Sequence, residues 1–273
     1  MIAAREAGAI LKDRLDRIHS IEFKGERDLV TEADRLSEKC IRRIIMSKYP
    51  QDAILSEETA TREEIGTFAG QRGRLWIVDP LDGTTNFAHG LRLFAVSIAL
   101  MVDGDLVVGV VLDPSSGEVV SSEAGHGAYL GERRIRVSGT ARLEDGLLAT
   151  GFPYNLSRTR DNNLDHFVNL SFRCQAVRRL GSASLALTYV ALGRLDGYWE
   201  LGLSPWDVAA GSLIVTEAGG SVSDFRGGIF NPFGRQVVAT NGLIHEEVLG
   251  ALAEGRSGKA LARFQPGPFF DQS

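Results

Sequence analysis

Two carboxylates flank a proline and a leucine in the run Trp76-Ile77-Val78-Asp79-Pro80-Leu81-Asp82-Gly83-Thr84-Thr85-Asn86-Phe87. Pro80 fixes its own φ and restricts the backbone of Asp79. The chain can therefore direct the side chains of Asp79 and Asp82 and the Leu81 carbonyl into one small volume. Carboxylate and carbonyl oxygens are the hard ligands that Mg²⁺ prefers. The run predicts a magnesium site at the end of a short buried strand.

The residues directly after this carboxylate pair are suited to hold a phosphate. Gly83 and Thr84 begin a predicted helix, whose free backbone N–H groups and dipole favour an anion. Asp-Pro and Asp-Gly are also common turn pairs, and either pair alone would favour a plain turn. The complete run favours a combined metal and phosphate site over that alternative.

Two further acidic motifs precede this run. Leu55-Ser56-Glu57-Glu58 is an apolar segment that ends in paired acids, which fits a solvated acidic turn as well as a ligand role for Glu57. Thr31 and Asp34 have near capping-box spacing at the start of a predicted helix. Asp34 can therefore stabilise that helix, orient a hydroxyl group or a water near the metals, or do both.

A fourth acidic motif lies far along the chain, in Ser204-Pro205-Trp206-Asp207-Val208-Ala209-Ala210-Gly211. Ser204 can cap a helix, Pro205 suits its first position, and Asp207 falls in its first turn. Trp206 and the small residues that follow predict a closely packed helix. An acid at the mouth of such a helix would be partly buried and would need a partner, for which a cation is one candidate.

Carboxylates that converge in a fold repel one another, and without a cation some of them stay protonated. Divalent ions relieve that repulsion and can bridge to a phosphate. The chain has 273 residues, a formal net charge of −5 and a pI of about 5.6, so an anionic substrate would need bound cations. The same acidic balance argues against a protein that binds nucleic acid through a basic face.

The remaining composition is that of an ordinary globular enzyme, with 44% hydrophobic and 24% charged residues. Cys40 and Cys174 stand far apart and have no metal-ligand spacing, which predicts two reduced cysteines. No apolar run approaches the roughly 20 residues of a membrane span, and the N-terminus lacks the pattern of a signal peptide. We expect a cytoplasmic protein.

Helical periodicity predicts amphipathic helices at residues 2–19 and 32–48, and a strand at 75–78 leads into a turn at 79–85. A meander is predicted next, with strands at residues 94–102, 106–112, 118–122, 128–130 and 135–137.

In the second half, strands alternate with helices, which is typical of an α/β arrangement. The strands are at 146–150, 196–201 and 236–240, and the helices at 183–193, 206–217 and 244–253. We predict an N-terminal α+β lobe at residues 1–142, a C-terminal α/β lobe at 143–255 and a tail at 256–273.

Six motifs of this chain resemble those of the inositol monophosphatase family and occur in the family's order. They are the run at 76–87, Trp206-Asp207-Val208-Ala209-Ala210-Gly211, the acidic motifs at 28–34 and 56–58, Leu180-Gly181-Ser182-Ala183-Ser184, and Asp196-Gly197-Tyr198-Trp199-Glu200. The resemblance extends from about residue 5 to about residue 253. One departure is Lys24, which stands one place out of register with a lysine that family members often carry in the loop before the first acidic motif.

The resemblance implies the family's layered α-β-α-β-α sandwich, of the inositol monophosphatase and fructose-1,6-bisphosphatase type, commonly found as a homodimer. It implies two Mg²⁺ ions and leaves a third open; one ion would be held by Glu57, Asp79 and the Leu81 carbonyl, and the other by Asp79, Asp82 and Asp207. The catalytic residues would be Asp34, Thr84 and Glu57, with Thr84 linked to Asp34 to help activate the attacking water. The substrate contacts would be Asp82, Gly83, Thr84, Ser182, Ala183 and Glu200.

The predicted reaction is hydrolysis of a small phosphate monoester by direct attack of a metal-activated water. Inositol-1-phosphate is the first choice, because a carboxylate at Glu200 can accept hydrogen bonds from vicinal hydroxyl groups. Fructose-1,6-bisphosphate, histidinol phosphate and adenosine 3′,5′-bisphosphate stay open as substrates. A second alternative is a regulatory protein on the same scaffold that contacts a partner through Arg178, Arg179 or the tail, although the sequence does not indicate a protein or nucleic-acid partner.

Overall fold

The computed structural model describes residues 1–15, 21–23, 29–70, 72–153, 156, 158–159 and 162–255. The helices are α1 (Ile2–Arg14), α2 (Glu32–Lys48), α3 (Arg62–Phe68), α4 (Thr84–Ala88), α5 (Leu164–Ser171), α6 (Ala183–Ala191), α7 (Pro205–Glu217) and α8 (His245–Gly255). The strands are β1 (Ile21–Phe23), β2 (Leu29–Thr31), β3 (Ala53–Ser56), β4 (Arg74–Asp82), β5 (Ala95–Val102), β6 (Asp105–Leu112), β7 (Val119–Glu123), β8 (Gly127–Leu130), β9 (Arg133–Arg134), β10 (Leu147–Thr150), β11 (Ala176–Arg178), β12 (Gly197–Leu201), β13 (Ser221–Ser223) and β14 (Gln236–Thr240).

The larger sheet has seven strands in the order β3-β4-β5-β6-β7-β8-β9. β3 pairs with β4 in parallel, and every later pair is antiparallel. β4 continues through Asp82, and its register against β5 shifts between Asp79 and Asp82. The prediction of a turn from residue 79 is therefore wrong for residues 79–82, because pairing of Asp79 with Ser97 and of Asp82 with Ala95 keeps this segment in the sheet.

The smaller sheet has five strands in the order β11-β10-β12-β14-β13. β10 is parallel to both of its neighbours, whereas β14 is antiparallel to β12 and to β13. A separate antiparallel pair joins β1 to β2 just before α2. The parallel pairings follow from the alternation of strands and helices in this half of the chain.

The helices form three layers around the two sheets. α1 and α2 cover one face of the seven-stranded sheet, where Leu11 and Ile41 belong to the same hydrophobic cluster as Val78. α6 and α7 fill the space between the sheets, and α5 and α8 cover the outer face of the five-stranded sheet around Trp199 and Leu252. The order of layers is α-β-α-β-α, which confirms the predicted fold class.

Helix α7 lies in the middle of the molecule and packs closely on both sides. A Cβ atom added at Gly109 on β6 would lie 2.7 Å from the Ala210 carbonyl oxygen, and one at Gly211 would lie 2.6 Å from Leu187 Cβ on α6. The prediction of a closely packed helix after Trp206 is confirmed. The core between the sheets contains residues from both predicted lobes, so the division at residue 142 stays a prediction.

Most predicted elements are present, with shifted ends. α2 has the predicted bounds, whereas the strand predicted at 135–137 is wrong, since the last strand of the meander is β9. The helices α3 and α5 and the strands β1, β2, β11 and β13 were not predicted from the sequence. Cys40 and Cys174 are free cysteines, as predicted. Residues 16–19 of the first predicted helix, Lys24 and the tail at 256–273 lie outside the described residues. No helix in the described part of the chain is long and apolar enough to cross a membrane.

Candidate active site

Three carboxylates from two distant parts of the chain meet between the sheets. Asp79 and Asp82 lie at the end of β4, and Asp207 lies in the first turn of α7. One oxygen atom of each side chain lies within 4.8 Å of the other two. Asp79 and Asp82 are buried and Asp207 is partly buried. The fold therefore brings together three of the predicted metal ligands.

Burial and mutual repulsion raise the pKa of these carboxyl groups. For Asp79 the largest cause is desolvation, followed by the charges of Glu57, Asp82 and Asp207. Desolvation also raises the pKa of Asp207, and Asp82 and Glu57 add to it. Such a group of hard oxygen donors, which repel one another as carboxylates, fits a divalent cation such as Mg²⁺.

Hydrogen bonds to the backbone and to α6 fix the two β4 carboxylates. Asp79 Oδ1 accepts a bond from the Leu81 N–H at 3.0 Å. Asp82 Oδ2 accepts from the Ser182 hydroxyl at 2.7 Å and from the Ser184 N–H at 2.6 Å. These bonds favour the ionised form of Asp82, although burial still raises its pKa overall. The start of α6 is thus joined directly to a predicted metal ligand.

Asp207 combines a local structural contact with a place in the carboxylate group. Asp207 Oδ2 accepts a bond from the Ser204 N–H at 2.6 Å, which is half of a capping box at the start of α7. The sequence left open whether this acid caps the helix or meets a cation. The structure places it where both are feasible.

Asp34, at the start of α2, likewise combines a capping contact with a contact in the candidate site. Its Oδ2 atom accepts bonds from the Thr31 N–H at 2.8 Å and from the Thr31 hydroxyl at 2.6 Å. Its Oδ1 atom lies 3.1 Å from the Thr84 hydroxyl oxygen, which also lies 3.0 Å from the Leu81 carbonyl oxygen. The capping carboxylate therefore reaches the hydroxyl group that the sequence analysis paired with it.

The turn after β4 requires glycine. Gly83 has φ +95°, and a Cβ atom there would lie 2.9 Å from the Leu93 carbonyl oxygen and 3.2 Å from that of Gly181. Asn86 ties the same segments together, since its side-chain amide donates to the carbonyl oxygens of Leu93 at 2.7 Å and Leu180 at 2.8 Å. The Gly83 and Thr84 backbone is thus held against the loop that precedes α6.

Glu57 lies at the edge of the carboxylate group. It follows β3, and its N–H donates to the Val78 carbonyl oxygen at 3.2 Å. Glu57 is outside the group of three oxygens that lie within 4.8 Å of one another. Its charge nevertheless raises the pKa of Asp79 and of Asp207, so the side chain is near both.

Glu200 on β12 occupies a crowded position next to the carboxylate group. It is partly buried and accepts a short hydrogen bond from the Tyr198 hydroxyl. A Cβ atom added at Gly151 would lie 2.1 Å from Glu200 Oε2, so the absence of a side chain at Gly151 leaves room for the carboxylate. The pKa of Glu200 is raised to about 7. Burial is the main cause, the Tyr198 hydrogen bond lowers the pKa in part, and the charge of Asp82 raises it further.

The sequence analysis missed the residues that hold the predicted ligands in place. Ser182 was predicted as a substrate contact, whereas its hydroxyl donates to Asp82 and accepts from the Leu185 N–H. Ala183 is buried beside it, at the start of α6. Tyr198 lies in the motif at 196–200 without a predicted role, and Gly151 lies in no motif, so their contact with Glu200 emerges only from the structure. A glycine directly after a predicted strand and a tyrosine two residues before an acid are weak signals.

Comparisons with known proteins find matches over most of the chain. The profile of the inositol monophosphatase family matches residues 1–257. The chain is 48% identical over 229 residues to the Nus factor SuhB of Pseudomonas aeruginosa, covering 82% of this chain and 83% of that protein. It is 45% identical over 257 residues to an inositol-1-monophosphatase of Synechocystis, covering 92% and 86%.

A solved structure supports the same relationship. The inositol monophosphatase from Anabaena (Nostoc) superposes with a TM-score of 0.81 at 42% sequence identity, and the match covers 92% of each chain. The family match includes both sheets and every carboxylate described above. With its layered fold, its convergent acids and these relatives, the chain belongs to the inositol monophosphatase family.

Proposed function

We propose that this protein is a Mg²⁺-dependent phosphatase that hydrolyses inositol-1-phosphate to myo-inositol and phosphate. The observation that carries the proposal is the meeting of Asp79, Asp82 and Asp207, whose oxygens lie within 4.8 Å of one another. Buried acids with raised pKa values can be neutralised either by protons or by a bound cation, and hard oxygen donors this close together suit a divalent cation. Bound divalent ions would relieve the repulsion between these carboxylates and could bridge to the phosphate of a substrate.

The proposed ligands divide into two sets that share Asp79. Glu57, Asp79 and the Leu81 carbonyl would hold one Mg²⁺, and Asp79, Asp82 and Asp207 would hold the other. When bound, such ions polarise phosphoryl oxygens and lower the pKa of a water molecule. The Gly83 and Thr84 N–H groups would donate to the phosphate oxygens, because they stand at the start of a helical turn, where N–H groups have no partner within the helix.

Thr84 and Asp34 would direct the proton of the attacking water. The Thr84 hydroxyl oxygen lies 3.1 Å from Asp34 Oδ1, so the hydroxyl can donate its proton to that carboxylate. Its lone pairs then accept a hydrogen bond from the water. As the water oxygen bonds to phosphorus and the bond from phosphorus to the ester oxygen breaks, the water proton passes to Thr84 and the Thr84 proton passes to Asp34. The departing alkoxide would take a proton from a solvent water to give the alcohol.

Glu200 supports a hydroxyl-rich substrate. The Tyr198 hydroxyl and the space over Gly151 hold its carboxylate in one place, near enough to Asp82 for their charges to interact. A carboxylate accepts two hydrogen bonds from neighbouring hydroxyl groups, and a site built in this way rejects a substrate that lacks them. Ser182 and Ala183, at the start of α6, would lie beside the same part of the substrate.

A phosphate-release screen tests the proposal. The substrates are inositol-1-phosphate, fructose-1,6-bisphosphate, histidinol phosphate and adenosine 3′,5′-bisphosphate, each assayed with Mg²⁺ and with a chelator. We expect the highest kcat/KM for inositol-1-phosphate and no turnover in the chelator. A higher kcat/KM for another substrate would contradict the specificity, and chelator-resistant release would contradict the metal dependence. The homodimer and the cytoplasmic location stay predictions.

The relative named Nus factor SuhB favours a second candidate function. At 48% identity, it supports a role in which this scaffold binds a macromolecular partner, with or without hydrolysis. The phosphatase function requires the carboxylates to support turnover with Mg²⁺, whereas partner binding does not require turnover. If the purified protein binds Mg²⁺ but releases no phosphate from any of the four substrates, the partner-binding role becomes the better proposal.

A further inference from the structure

Helix α2 contacts three different segments of the candidate site through one face. Asp34, Ser37 and Glu38 are spaced i, i+3 and i+4, so their side chains lie on the same side of the helix. Asp34 bonds with Thr84 after β4, and the Ser37 hydroxyl donates to the Pro80 carbonyl oxygen at 2.7 Å. The helix thus serves as a rigid support for the chain around the acids.

The third contact of this face is made by Glu38 with the residues on either side of Glu57. Glu38 Oε2 accepts a bond from the Ser56 hydroxyl at 2.7 Å and another from the Glu58 N–H at 3.0 Å. Ser56 and Glu58 are the immediate neighbours of Glu57, whose own N–H donates to the Val78 carbonyl oxygen. The backbone of Glu57 is therefore held from both sides and from β4.

Stability alone does not account for a carboxylate in this position. Glu38 is only 3% exposed, and burial of a carboxylate is unfavourable compared with an apolar side chain of similar volume. Most of the other buried residues of α2 that pack on the sheet are apolar, including Ala33, Ile41 and Ile45. An acid is useful here because it can accept two bonds at once from the segment that carries Glu57.

We propose that Glu38 is a positioning residue that holds Glu57 in place as a metal ligand, an inference that rests on the function proposed above. Glu57 is the outlying member of the carboxylate group, so its approach to a cation depends on where its backbone stands. With the backbone fixed, less ordering remains to be done when the ion binds. Glu38 acts through its contacts with Ser56 and Glu58 and does not touch the ion.

The test measures Mg²⁺ binding directly, by titration calorimetry of the full chain without substrate, in wild type, Glu38→Ala and Glu38→Gln. Loss of an outer-shell partner weakens metal binding by about 10–100-fold. We expect about a tenfold loss or more for Glu38→Ala. Glu38→Gln should recover most of the affinity, because a glutamine oxygen in the same place can accept both bonds. Unchanged affinity in Glu38→Ala would overturn the inference.

Two further variants separate positioning from simple destabilisation. Ile41→Val removes a methylene from a fully buried side chain on the same helix, so it should lower the unfolding temperature without changing Mg²⁺ affinity. Ser56→Ala removes one of the two bonds to Glu38, and it keeps the test decisive if Glu38→Ala does not fold: weaker binding supports the inference, and wild-type binding overturns it. Wild-type protein that binds no Mg²⁺ would instead refute the proposed function.

Discussion

Replacement of Asp79 by asparagine is expected to stabilise the metal-free protein while it removes the metal site. Asp79 lies within 4.8 Å of both Asp82 and Asp207, measured between oxygen atoms. Two unit charges at that distance repel by about 3 kcal/mol at an effective dielectric constant of about 20. Proton uptake limits the repulsion that the folded protein retains, so we expect Asp79→Asn to gain about 1–3 kcal/mol in free energy of unfolding.

The stability that Asp79→Asn gains over metal-free wild type should increase with pH. The folded state raises the pKa of Asp79, through burial first and the neighbouring carboxylates second. Above the ordinary carboxyl pKa of about 4, the folded protein therefore binds more protons than the unfolded chain. The free energy of unfolding of metal-free wild type then falls as pH rises from that value toward the raised pKa. Asp79→Asn lacks this contribution, so its advantage should be larger at pH 8 than at pH 5.

Thermal unfolding in a chelator and in Mg²⁺ measures both effects. For a chain of this length, 1 kcal/mol corresponds to about 2 °C, so Asp79→Asn should unfold about 2–6 °C above wild type in chelator at pH 8. Mg²⁺ should raise the unfolding temperature of wild type by mass action and leave that of the variant nearly unchanged. Turnover with Mg²⁺ should be almost lost.

A matched control uses a buried aspartate whose partners are hydrogen-bond donors. Asp196 accepts bonds from the Ser138 hydroxyl and the Leu147 N–H, so Asp196→Asn should lower stability. An Asp79→Asn protein that is less stable than wild type in chelator at pH 8 would show that Asp79 does not destabilise the metal-free fold. Equal stabilisation of the variant and wild type by Mg²⁺ would show that Asp79 is not a metal ligand.

Two further predictions concern turnover. Thr84→Ala should lower kcat by about 100-fold with little change in KM, because the hydroxyl acts on the water in the transition state; the exposed neighbour gives a control, Thr85→Ala, and a kcat within twofold of wild type would rule out the role of Thr84. Glu200 has a pKa of about 7, so its carboxylate accepts hydroxyl bonds well above pH 7 and poorly below it. The ratio of kcat/KM for inositol-1-phosphate to that for a simple alkyl phosphate should rise through pH 7 in wild type, and a similar rise in Glu200→Gln would count against the assignment.

Local chemistry made some elements predictable from the sequence. α2 has the predicted bounds because a capping box at Thr31 and Asp34 marks its start, and helical spacing of apolar residues marks its length. β5 and β6 were found because Asp103-Gly104 is a strong hairpin signal between two apolar runs. β11 and β13 have three residues each, which is too short for any periodic pattern, and only pairing in the sheet defines them.

The end of β4 shows how tertiary contacts override turn chemistry. Asp-Pro and Asp-Gly pairs favour a turn, and the sequence analysis placed one from residue 79. Pairing with β5 instead keeps residues 79–82 extended, with an irregular register that accommodates Pro80. The structure brings Asp79, Asp82 and Asp207 together, and because Asp207 stands far from the other two along the chain, motif order and not spacing suggested that they meet.

Supporting residues were harder to predict than ligands, for a physical reason. Glu38 stands four residues after Asp34 on the buried face of α2, where a charged residue is unexpected and could have been noticed. Its partners, Ser56 and Glu58, lie 18 and 20 residues further on and give no sign of the contact. Such roles depend on which segments the fold places side by side, and that information is not local.

Asp82 joins the metal side of the site to the substrate side. It belongs to the carboxylate group at the end of β4, and it also accepts bonds from Ser182 and Ser184 at the start of α6. A shift of α6 therefore moves a proposed metal ligand, and loss of a cation would leave buried charge on the residue that anchors α6. Because Ser182 also lies in the proposed substrate region, metal binding and substrate recognition should be coupled through this one side chain, even though different residues govern each.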